Sequence, residues 1–589
     1  MPQSVRKFLI IMGLGVLGLS RTSAQSTFIP LNDDYYHLID RLEIKRGKLS
    51  EGFHSNMKPF ERKAVVQLTD SILADGRVRL TRVDAATINY LRNDSWEWTL
   101  GTPQVPTPAA DSAQLDSTGV STDAYSSLSR LGSIETTRRN RTFWSHPADL
   151  YSIHNEDVDL HVNFTTNNFY GRENDTPSAL WFTGRGVEIR GMVNQKLGFY
   201  TFVSDNQGTF ADYVRRYAWQ YNFPGEGLAK TLRNTGVDFL SARGYITFRP
   251  LKSINVQFGH DRNFIGSGYR SMILSDNSSP YLFMRIETHL GRFHYTNLWA
   301  SMINTQDTPS RDMLRSKKYA AMHHLSINLT DRLNVGVFEA EVFKRDSTQG
   351  GFDPNYLNPI IFYRFVESYL GSEDNALLGF DFRWLAGRRL SVYGQFILDE
   401  FLTKYFFSSS GSWTKKYAGQ LGIKYIDAFG IPNLDLQAEY NVARPYQYTH
   451  RDGGRNYVHY RQPLAHPLGA NFREWVGILR YKMTPRLTTY YTLSWTNQGL
   501  DRYGENWGSN LLPDYETRMS DFGNTIAQGV TSHTLFSDVR LSYMLTHNLF
   551  IDGRYLWRRQ DRPGENITQS TNLATIALRY NIPYRLQTF

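Results

Sequence analysis

Four arginines occupy polar positions in segments that alternate between apolar and polar residues. They are Arg285, Arg383, Arg540 and Arg554. A guanidinium group can bind a carboxylate or a phosphate through two parallel hydrogen bonds, so these residues suit an acidic ligand. Acidic residues lie on the same faces, namely Glu287, Asp381, Asp538 and Asp552. Because buried charges are usually paired, internal ion pairs are the competing interpretation, and the sequence favours it for any single arginine.

Aromatic residues crowd the long polar stretches of the second half of the chain. They are Tyr446, Tyr448, Tyr457, Tyr460, Tyr503, Trp507 and Tyr515. Such rings can stack on sugar rings, but they can also pack loops together or sit at a membrane interface. For most of them the last two interpretations are preferred.

A glycine-rich segment, Gly259 to Arg270, reads GHDRNFIGSGYR. Its glycines permit backbone conformations that other residues avoid, and Arg262 and Arg270 add positive charge. The GSG triplet lacks the lysine and hydroxyl residue of a phosphate-binding loop. The segment therefore predicts a shaped, charged loop and not a nucleotide site.

A second segment begins at Asn358-Pro359 and carries the opposite charges of Arg364 and Glu367. Proline interrupts a central strand and places the preceding residue in an extended or turn conformation. Two interpretations stay open: an inward loop that narrows a lumen, and an external loop or strand end with a surface ion pair.

Motifs for catalysis are absent from the sequence. It contains no HExxH, no GxSxG and no cysteine, and the pairs His289/His294 and His323/His324 lack the spacing of a metal site. We therefore expect no enzymatic activity, no cofactor and no metal. A hydrolase whose residues come from separate strands is the third hypothesis.

The N-terminus is typical of a secretory signal peptide. Arg6 and Lys7 precede an apolar run from Phe8 to Leu19, and small residues precede Gln25. An uncleaved anchor is less favoured, because about 12 apolar residues are too few to span a bilayer that needs about 20. We predict a signal peptide over 1–24 and export across the inner membrane.

The composition indicates a transmembrane β-barrel. Hydrophobic residues make up 41% of the 589 residues, aromatic residues 14%, and the formal net charge is +9. This is too polar for a helical membrane protein, but it fits a barrel with an apolar exterior and a wet lumen. Mild basicity suits acidic polymers or lipid headgroups, or is ordinary surface charge. A soluble sandwich or propeller is the alternative fold.

Three regions follow along the chain. Residues 25–100 carry helical periodicity, with Asn32 as a cap and Gly47 as a stop of the first helix, and predict a small periplasmic bundle that plugs or caps the barrel. An independent tethered module is the alternative. Residues 101–155 form a linker and barrel entry, with a Pro- and Ser-rich stretch from Thr102 to Ser133. Residues 156–589 predict the barrel.

Alternation with period two recurs throughout the last region. Apolar Val158, Leu160, Val162 and Phe164 interleave with polar residues, and short turns such as Thr330-Asp331-Arg332 alternate with long polar stretches such as Asp205 to Asp238. We count about 18 strands, although sixteen would also fit. The last strand is expected to stop at Phe589, an aromatic end of the kind that barrel-insertion machinery recognises.

Several local motifs resemble the Wzi family of capsule-assembly outer-membrane proteins. The hallmark stretch runs from Asn358 to Arg364 and continues through Glu367, Leu370-Gly371-Ser372 and Asp374 to Gly379; GHDRNFIGSGYR, Leu274 to Asn277, Tyr393 to Phe396 and Asp399 to Phe401 are also similar. The chain is most similar to members from gliding bacteria that are labelled RemB-like. The resemblance covers most of the chain.

The resemblance implies an 18-stranded outer-membrane barrel with a periplasmic helical bundle, which attaches capsular polysaccharide to the cell surface without catalysis. The expected partners are outer-membrane lipid, an acidic polysaccharide and the insertion machinery, and not nucleic acid. Candidate ligand-binding residues are Arg262, Arg270, Arg285, Asn358, Arg364, Glu367 and Arg383. A porin-like channel for oligosaccharides or other solutes is the alternative function.

Overall fold

The computed structural model describes residues 25–99, 142–174, 179–232, 235–305, 315–345, 351–360, 362–399, 403–585 and 589. The predicted signal peptide and the stretch from Thr102 to Ser133 lie outside the described residues. Within the described part, no helix is both long enough and apolar enough to cross a bilayer.

The described chain forms one closed barrel of eighteen long antiparallel strands, as predicted. Numbered in chain order, they are β1 Val158–Glu173, β2 Leu180–Val193, β3 Leu197–Thr209, β4 Gly236–Leu251, β5 Ile254–Asp261, β6 Tyr281–Leu290, β7 Phe293–Ile303, β8 Lys317–Asn328, β9 Leu333–Phe343, β10 Asn375–Leu385, β11 Leu390–Asp399, β12 Tyr417–Tyr425, β13 Leu434–Ala443, β14 Phe472–Lys482, β15 Leu487–Leu500, β16 Val530–Thr546, β17 Leu549–Arg562 and β18 Ile567–Tyr580. The last strand, β18, pairs with β1 and closes the ring.

Most strands of the described barrel have one buried and one exposed face. In β1 the polar residues Asp159, His161 and Thr165 point into the lumen and are buried, whereas Phe164 lies outside and is exposed. Two-residue periodicity produces this division because successive side chains point to opposite faces of a strand. The apolar exterior and polar interior are those of a membrane barrel.

The two ends of the barrel differ. At the turn end, adjacent strands are joined by short connections such as Thr330–Arg332 between β8 and β9. At the loop end, the connections are long, and include residues 210–235, 444–471 and 501–529. The loop 210–235 is shorter than the polar stretch from Asp205 to Asp238, because β3 continues to Thr209 and β4 begins at Gly236.

Three N-terminal helices are α1 Asp33–Arg46, α2 Arg62–Ala74 and α3 Arg82–Asp94. The side chain of Asn32 caps α1 by accepting hydrogen bonds from the backbone of Asp34 (3.1 Å) and Tyr35 (3.4 Å), and Gly47 ends it with φ +69°. Their apolar faces form a common core that includes Ile39, Leu42, Leu68, Ile88 and Leu91. Helix caps and periodicity were correctly predicted.

Ion pairs fix these helices to the lumen wall at the turn end. Arg41 contacts Asp84, Asp427 (2.6 Å) and Asp435, so one guanidinium joins α1, α3 and the connection between β12 and β13. Lys45 also contacts Asp84 (2.6 Å) and Asp427 (2.9 Å). The helices therefore plug the barrel.

Two further segments fill the lumen. The connection between β5 and β6 folds inward, where Phe264–Ile265 pairs with Met57–Lys58 of the helical region and Met272, Ile273 and Leu274 enter a buried core. After β18 the chain also turns inward: Tyr584 lies over the guanidinium of Arg540 at 3.6 Å. The prediction that the last strand stops at Phe589 is therefore wrong, because β18 ends at Tyr580 and Asn581 adopts a positive φ of +51°.

The remaining elements are short. Three more helices lie in loops: α4 Asp212–Tyr221, α5 Tyr363–Leu370 and α6 Thr403–Phe406. Four short strands not yet named are Tyr151–His154, Lys230–Leu232, Val458–His459 and Gln462–Pro463.

Candidate functional site

A cleft of about 870 Å³ opens among the loops at the loop end of the barrel. Its walls come from α4, from loops 444–471 and 501–529, and from the ends of β17 and β18. Phe589 also lines it. We call this space the loop-end cleft.

Helix α4 supplies an aromatic wall. Tyr213, Tyr217 and Tyr221 are spaced four residues apart, which places them along one side of the helix. The ring of Tyr217 lies 3.9 Å from the ring of Phe589 and 5.0 Å from that of Tyr221 (centroid distances). The guanidinium of Arg558 lies 4.9 Å from the centre of the Tyr213 ring. The result is a cluster of adjoining aromatic rings along one side of the cleft, with planes tilted by 28° to 60° from one another.

The cleft is positively charged. Its arginines are Arg216, Arg461, Arg502, Arg558 and Arg562, and its carboxylates are Asp501 and Glu505. Arg461 and Arg502 are exposed. Arg216 already pairs with Asp212 and Arg562 with Glu565, so Arg461 and Arg502 supply the accessible positive charge that attracts an anionic ligand. Amide side chains such as Gln498 and Gln560 add neutral donors and acceptors.

Asp501 shapes the loop that carries Arg502 and Tyr503. Its carboxylate accepts hydrogen bonds from the backbone of Trp507 (2.6 Å) and Asn510 (3.0 Å). Burial raises the pKa of Asp501, although these backbone donors oppose the shift. Tyr503 is fully exposed at the rim of the cleft, where its ring is accessible to a ligand.

Most other loop aromatics that the sequence singled out are packing residues. Tyr446, Tyr448 and Tyr457 are fully buried, and Tyr448 and Tyr457 belong to the largest buried cluster. Tyr515 is buried against Trp413, at 4.5 Å between ring centroids. The preferred interpretation, loop packing, is correct for these four.

The predicted lumen arginines face their own chain. Arg383 contacts Glu43 (2.7 Å) and Asp40 (3.1 Å) of α1. Arg285 is fully buried and donates to Asn263 (2.9 Å). Each contributes to holding the plug or the inward loop, which is the ion-pair interpretation that the sequence favoured.

Arg262 and Arg270 lie in the inward connection between β5 and β6 and are also buried. Arg262 donates to the carbonyl of Asp276 (3.0 Å), and Arg270 pairs with Glu474 (3.1 Å). Both line a small lumen cavity of about 110 Å³ below the cleft. The inward loop that the sequence suggested exists, but this glycine-rich segment forms it.

Asn358, Arg364 and Glu367 lie elsewhere, in the connection between β9 and β10. Asn358 is exposed, and Arg364 contacts Glu367 across one turn of α5. This segment packs against the outer wall of the barrel, where the hydroxyl of Tyr295 donates to the carbonyl of Pro359 (2.6 Å). The structure thus brings none of these three residues into the lumen or together with the predicted arginines.

One group of His and carboxylate side chains in the described part brings its ligand atoms within 4.8 Å of one another: Glu97, Asp159 and His161. Arg190 contacts Glu97, and Asp149 contacts His161 at 2.7 Å. Positive charge is already present beside these carboxylates. The arrangement acts as an ion-pair network between the helical plug and β1 and β2.

Sequence reasoning missed α4, because it lies inside a polar stretch that was interpreted as loop. The spacing of Tyr213, Tyr217 and Tyr221 was the available signal. No sequence pattern pointed to Phe589 as a cleft residue, since its contact with α4 spans most of the chain.

The closed barrel, apolar outside and plugged inside, is the architecture of an outer-membrane β-barrel protein. Comparison with known proteins agrees. No protein-family model matches the chain, and no curated protein matches it. Among solved structures it is similar to Wzi of Escherichia coli, a carbohydrate-binding β-barrel involved in group 1 capsule assembly, with 11% identity, a TM-score of 0.53, and coverage of 95% of this chain and 100% of Wzi. At this identity the likeness establishes the fold.

Two further solved structures are similar over part of the chain. OprD of Pseudomonas aeruginosa is 12% identical, covers 72% of this chain and 95% of its own, and has a TM-score of 0.40. OccAB2 of Acinetobacter baumannii is 10% identical, covers 72% and 97%, and has a TM-score of 0.41.

Proposed function

We propose that this protein resides in the outer membrane and binds an acidic polysaccharide in the loop-end cleft, which holds the polymer at the cell surface without chemical change. The observation that carries the proposal is the composition of the cleft: the exposed guanidinium groups of Arg461 and Arg502 lie beside an aromatic wall. Guanidinium groups pair with carboxylates or phosphates of a glycan, and aromatic rings offer flat apolar faces to its sugar rings.

The fold supports the proposal that the protein binds a polysaccharide. Wzi, which has the same fold, is a carbohydrate-binding barrel involved in capsule assembly. The resemblance of the sequence motifs points to the same family. Loops at the loop end face the cell exterior in outer-membrane barrels, whereas the short turns face the periplasm. The cleft therefore lies where an exported polymer arrives.

A binding measurement tests the proposal. Fluorescently labelled polygalacturonate is the acidic probe, and labelled dextran is the neutral control, with detergent-purified full-length protein. We expect binding of polygalacturonate that weakens with salt, and little binding of dextran. Arg502→Ala and Tyr503→Ala should each weaken binding about tenfold, which corresponds to about 1.4 kcal/mol.

Arg77→Ala is the matched control, because Arg77 is an exposed arginine of the helical plug, away from the loop-end cleft. It should leave the affinity unchanged. Equal binding of dextran, or equal losses in all three variants, would contradict a site in the loop-end cleft.

Export and motility belong to the same proposal. Gln25 is buried, and its backbone N–H donates to Gln195 in the turn between β2 and β3 (2.9 Å), which suits cleavage of the signal peptide just before it. N-terminal sequencing of the mature protein should start at Gln25. The similarity to RemB-like members extends the proposal to gliding, and a deletion strain should then spread more slowly on agar.

A further inference from the structure

The connection between β9 and β10 forms a second layer on the outside of the barrel. We call residues 351–360 and 362–370 the outer strap. The indole N–H of Trp299 donates to the carbonyl of Tyr356 (2.7 Å), and the ring of Tyr363 lies 3.9 Å from that of His323. Val366 joins the same buried cluster. The strap is therefore packed on the wall and does not project from it.

The strap covers the outer face. In β9, Asn334 contacts Ser326 in the lumen (2.8 Å), so the residues of opposite parity, including Val337, Glu339 and Glu341, point outward. Val337 is half exposed, whereas Glu339 and Glu341 are buried. What buries them is the strap.

The strap reaches the middle of the wall. Glu339 is paired in register with His323 of β8, which is paired with Asn297 of β7. All three residues lie near the centres of their strands. In an outer-membrane barrel this height is within the hydrocarbon layer.

Glu339 and Glu341 point outward from the wall, so their carboxylates must be shielded from lipid. A carboxylate exposed to lipid near the bilayer centre carries a large desolvation cost. Glu339 instead accepts hydrogen bonds from the backbone of Tyr363 (2.9 Å) and Arg364 (3.0 Å), which are the first residues of α5. An acceptor at the start of a helix satisfies otherwise unpaired amides, so Glu339 fixes α5 to the wall.

The outward face of the strap carries five exposed large apolar side chains. They are Leu357, Ile360, Phe362, Phe365 and Tyr369, and Tyr369 is 91% exposed. Asn358, Ser368 and Arg364, which pairs with Glu367, are also exposed. The barrel wall beside it presents Val337, Leu378 and Phe380, which are also exposed. The strap thus continues the apolar band of the wall that faces lipid.

We propose that the outer strap is embedded in the outer membrane and that Phe362, Phe365 and Tyr369 form a lipid-binding surface in contact with acyl chains. At the height of Glu339 the protein then contacts lipid through α5, which covers the wall strands there. This inference is independent of glycan binding.

Single-cysteine labelling tests the proposal, since the chain has no native cysteine. Nitroxide labels are placed by Phe365→Cys or Tyr369→Cys in full-length protein reconstituted in phospholipid vesicles. Collision rates with oxygen, which concentrates in lipid, and with a water-soluble nickel chelate are then measured. Heat-modifiable gel mobility verifies that each variant is a folded barrel.

Two reference labels calibrate the result. Val337→Cys reports the lipid-facing wall, and Tyr503→Cys reports the aqueous loops. We expect labels at 365 and 369 to match the label at 337, with high oxygen and low nickel accessibility. A match with the label at 503 would overturn the proposal, and so would low accessibility to both reagents, which indicates cover by another protein.

Glu339→Ala provides a second measurement. Loss of the carboxylate should loosen α5, so the label at 365 becomes more mobile while the label at 337 does not change. An unchanged spectrum at 365 would contradict the role of Glu339 in holding the strap.

Discussion

Surroundings determine what each arginine does in this protein. Arg383 and Arg502 have the same side chain, but Arg383 is sealed against Glu43 and Asp40, whereas Arg502 is exposed in the loop-end cleft. A guanidinium that is buried and matched by two carboxylates is inaccessible to a ligand, so only the exposed cleft arginines suit binding. The sequence could place both residues on polar positions, but it could not distinguish them.

Arg383→Ala should destabilise the protein strongly. The substitution leaves Glu43 buried without its cationic partner and Asp40 with Lys424 alone, and breaking a buried ion pair typically costs about 3–5 kcal/mol. Thermal unfolding followed by heat-modifiable gel mobility measures the loss, with Arg77→Ala as the exposed control. A transition equal to wild type would contradict the role of Arg383 in locking α1.

We predict that two histidines of the helical plug make the protein less stable in acid. Burial lowers the pKa of His37 on α1 to about 4 and that of His54 to about 3. In the unfolded chain these histidines bind protons as the pH falls through about 6.5, whereas in the folded plug they stay neutral to lower pH. Their contribution to the free energy of unfolding is therefore complete above pH 6.5 and is lost as the pH drops toward 4. The slope is at most about 1.4 kcal/mol per pH unit for each histidine.

Unfolding midpoints between pH 7.5 and pH 4 measure this effect. His37→Gln and His54→Gln should each flatten the dependence. His154→Gln is the control, because His154 is half exposed at the barrel wall. If neither plug variant changed the pH dependence of unfolding, the acid sensitivity could not be attributed to His37 and His54.

At the scale of elements, the sequence predicted what local rules determine. The cap at Asn32 and the stop at Gly47 bound α1, and the alternation on either side of Thr330–Arg332 located β8 and β9. The outer strap was not predictable, because a proline and a charge pair reveal an interrupted strand but not the side of the wall on which it packs. Only tertiary contacts, such as Tyr295 with Pro359, determine that.

Helix α4 should be required for ligand binding but not for the barrel. Replacing residues 212–221 with a Gly–Ser linker of equal length removes Tyr213, Tyr217 and Tyr221 from the cleft. We expect binding of polygalacturonate to fall below detection while heat-modifiable mobility persists. Retained affinity would show that the aromatic wall does not contribute. Replacing residues 403–406 of α6 is the control, since Lys404 and Tyr405, the α6 residues whose side chains the structure describes, do not line the cleft.

At the scale of the whole molecule, the lumen is occupied from end to end. The helices fill the turn end, the connection between β5 and β6 fills the middle, and Arg585 of the final segment pairs with Glu226 of a loop-end connection (2.9 Å). Two of the cavities that remain have volumes of about 150 Å³ each. This arrangement favours a surface binder over an open channel.

Planar-bilayer recordings test the occupied lumen. We expect little or no steady conductance from the full-length protein, because the plug and the inward loop are held by buried ion pairs. A porin of similar strand number, recorded in the same bilayers, provides the positive control. A large and steady conductance would favour the porin-like alternative.

We propose that the loop-end cleft holds an exported acidic polysaccharide at the cell surface, and this role can be measured on cells. The most direct measurement is the amount of acidic polysaccharide bound to cells and released into the medium by a deletion strain that carries either the wild-type gene or the double variant Arg502→Ala/Tyr503→Ala. We predict that wild type restores cell-bound polymer, whereas the variant, at equal abundance in the outer membrane, releases it with total export unchanged. Normal retention by the variant would contradict the claim.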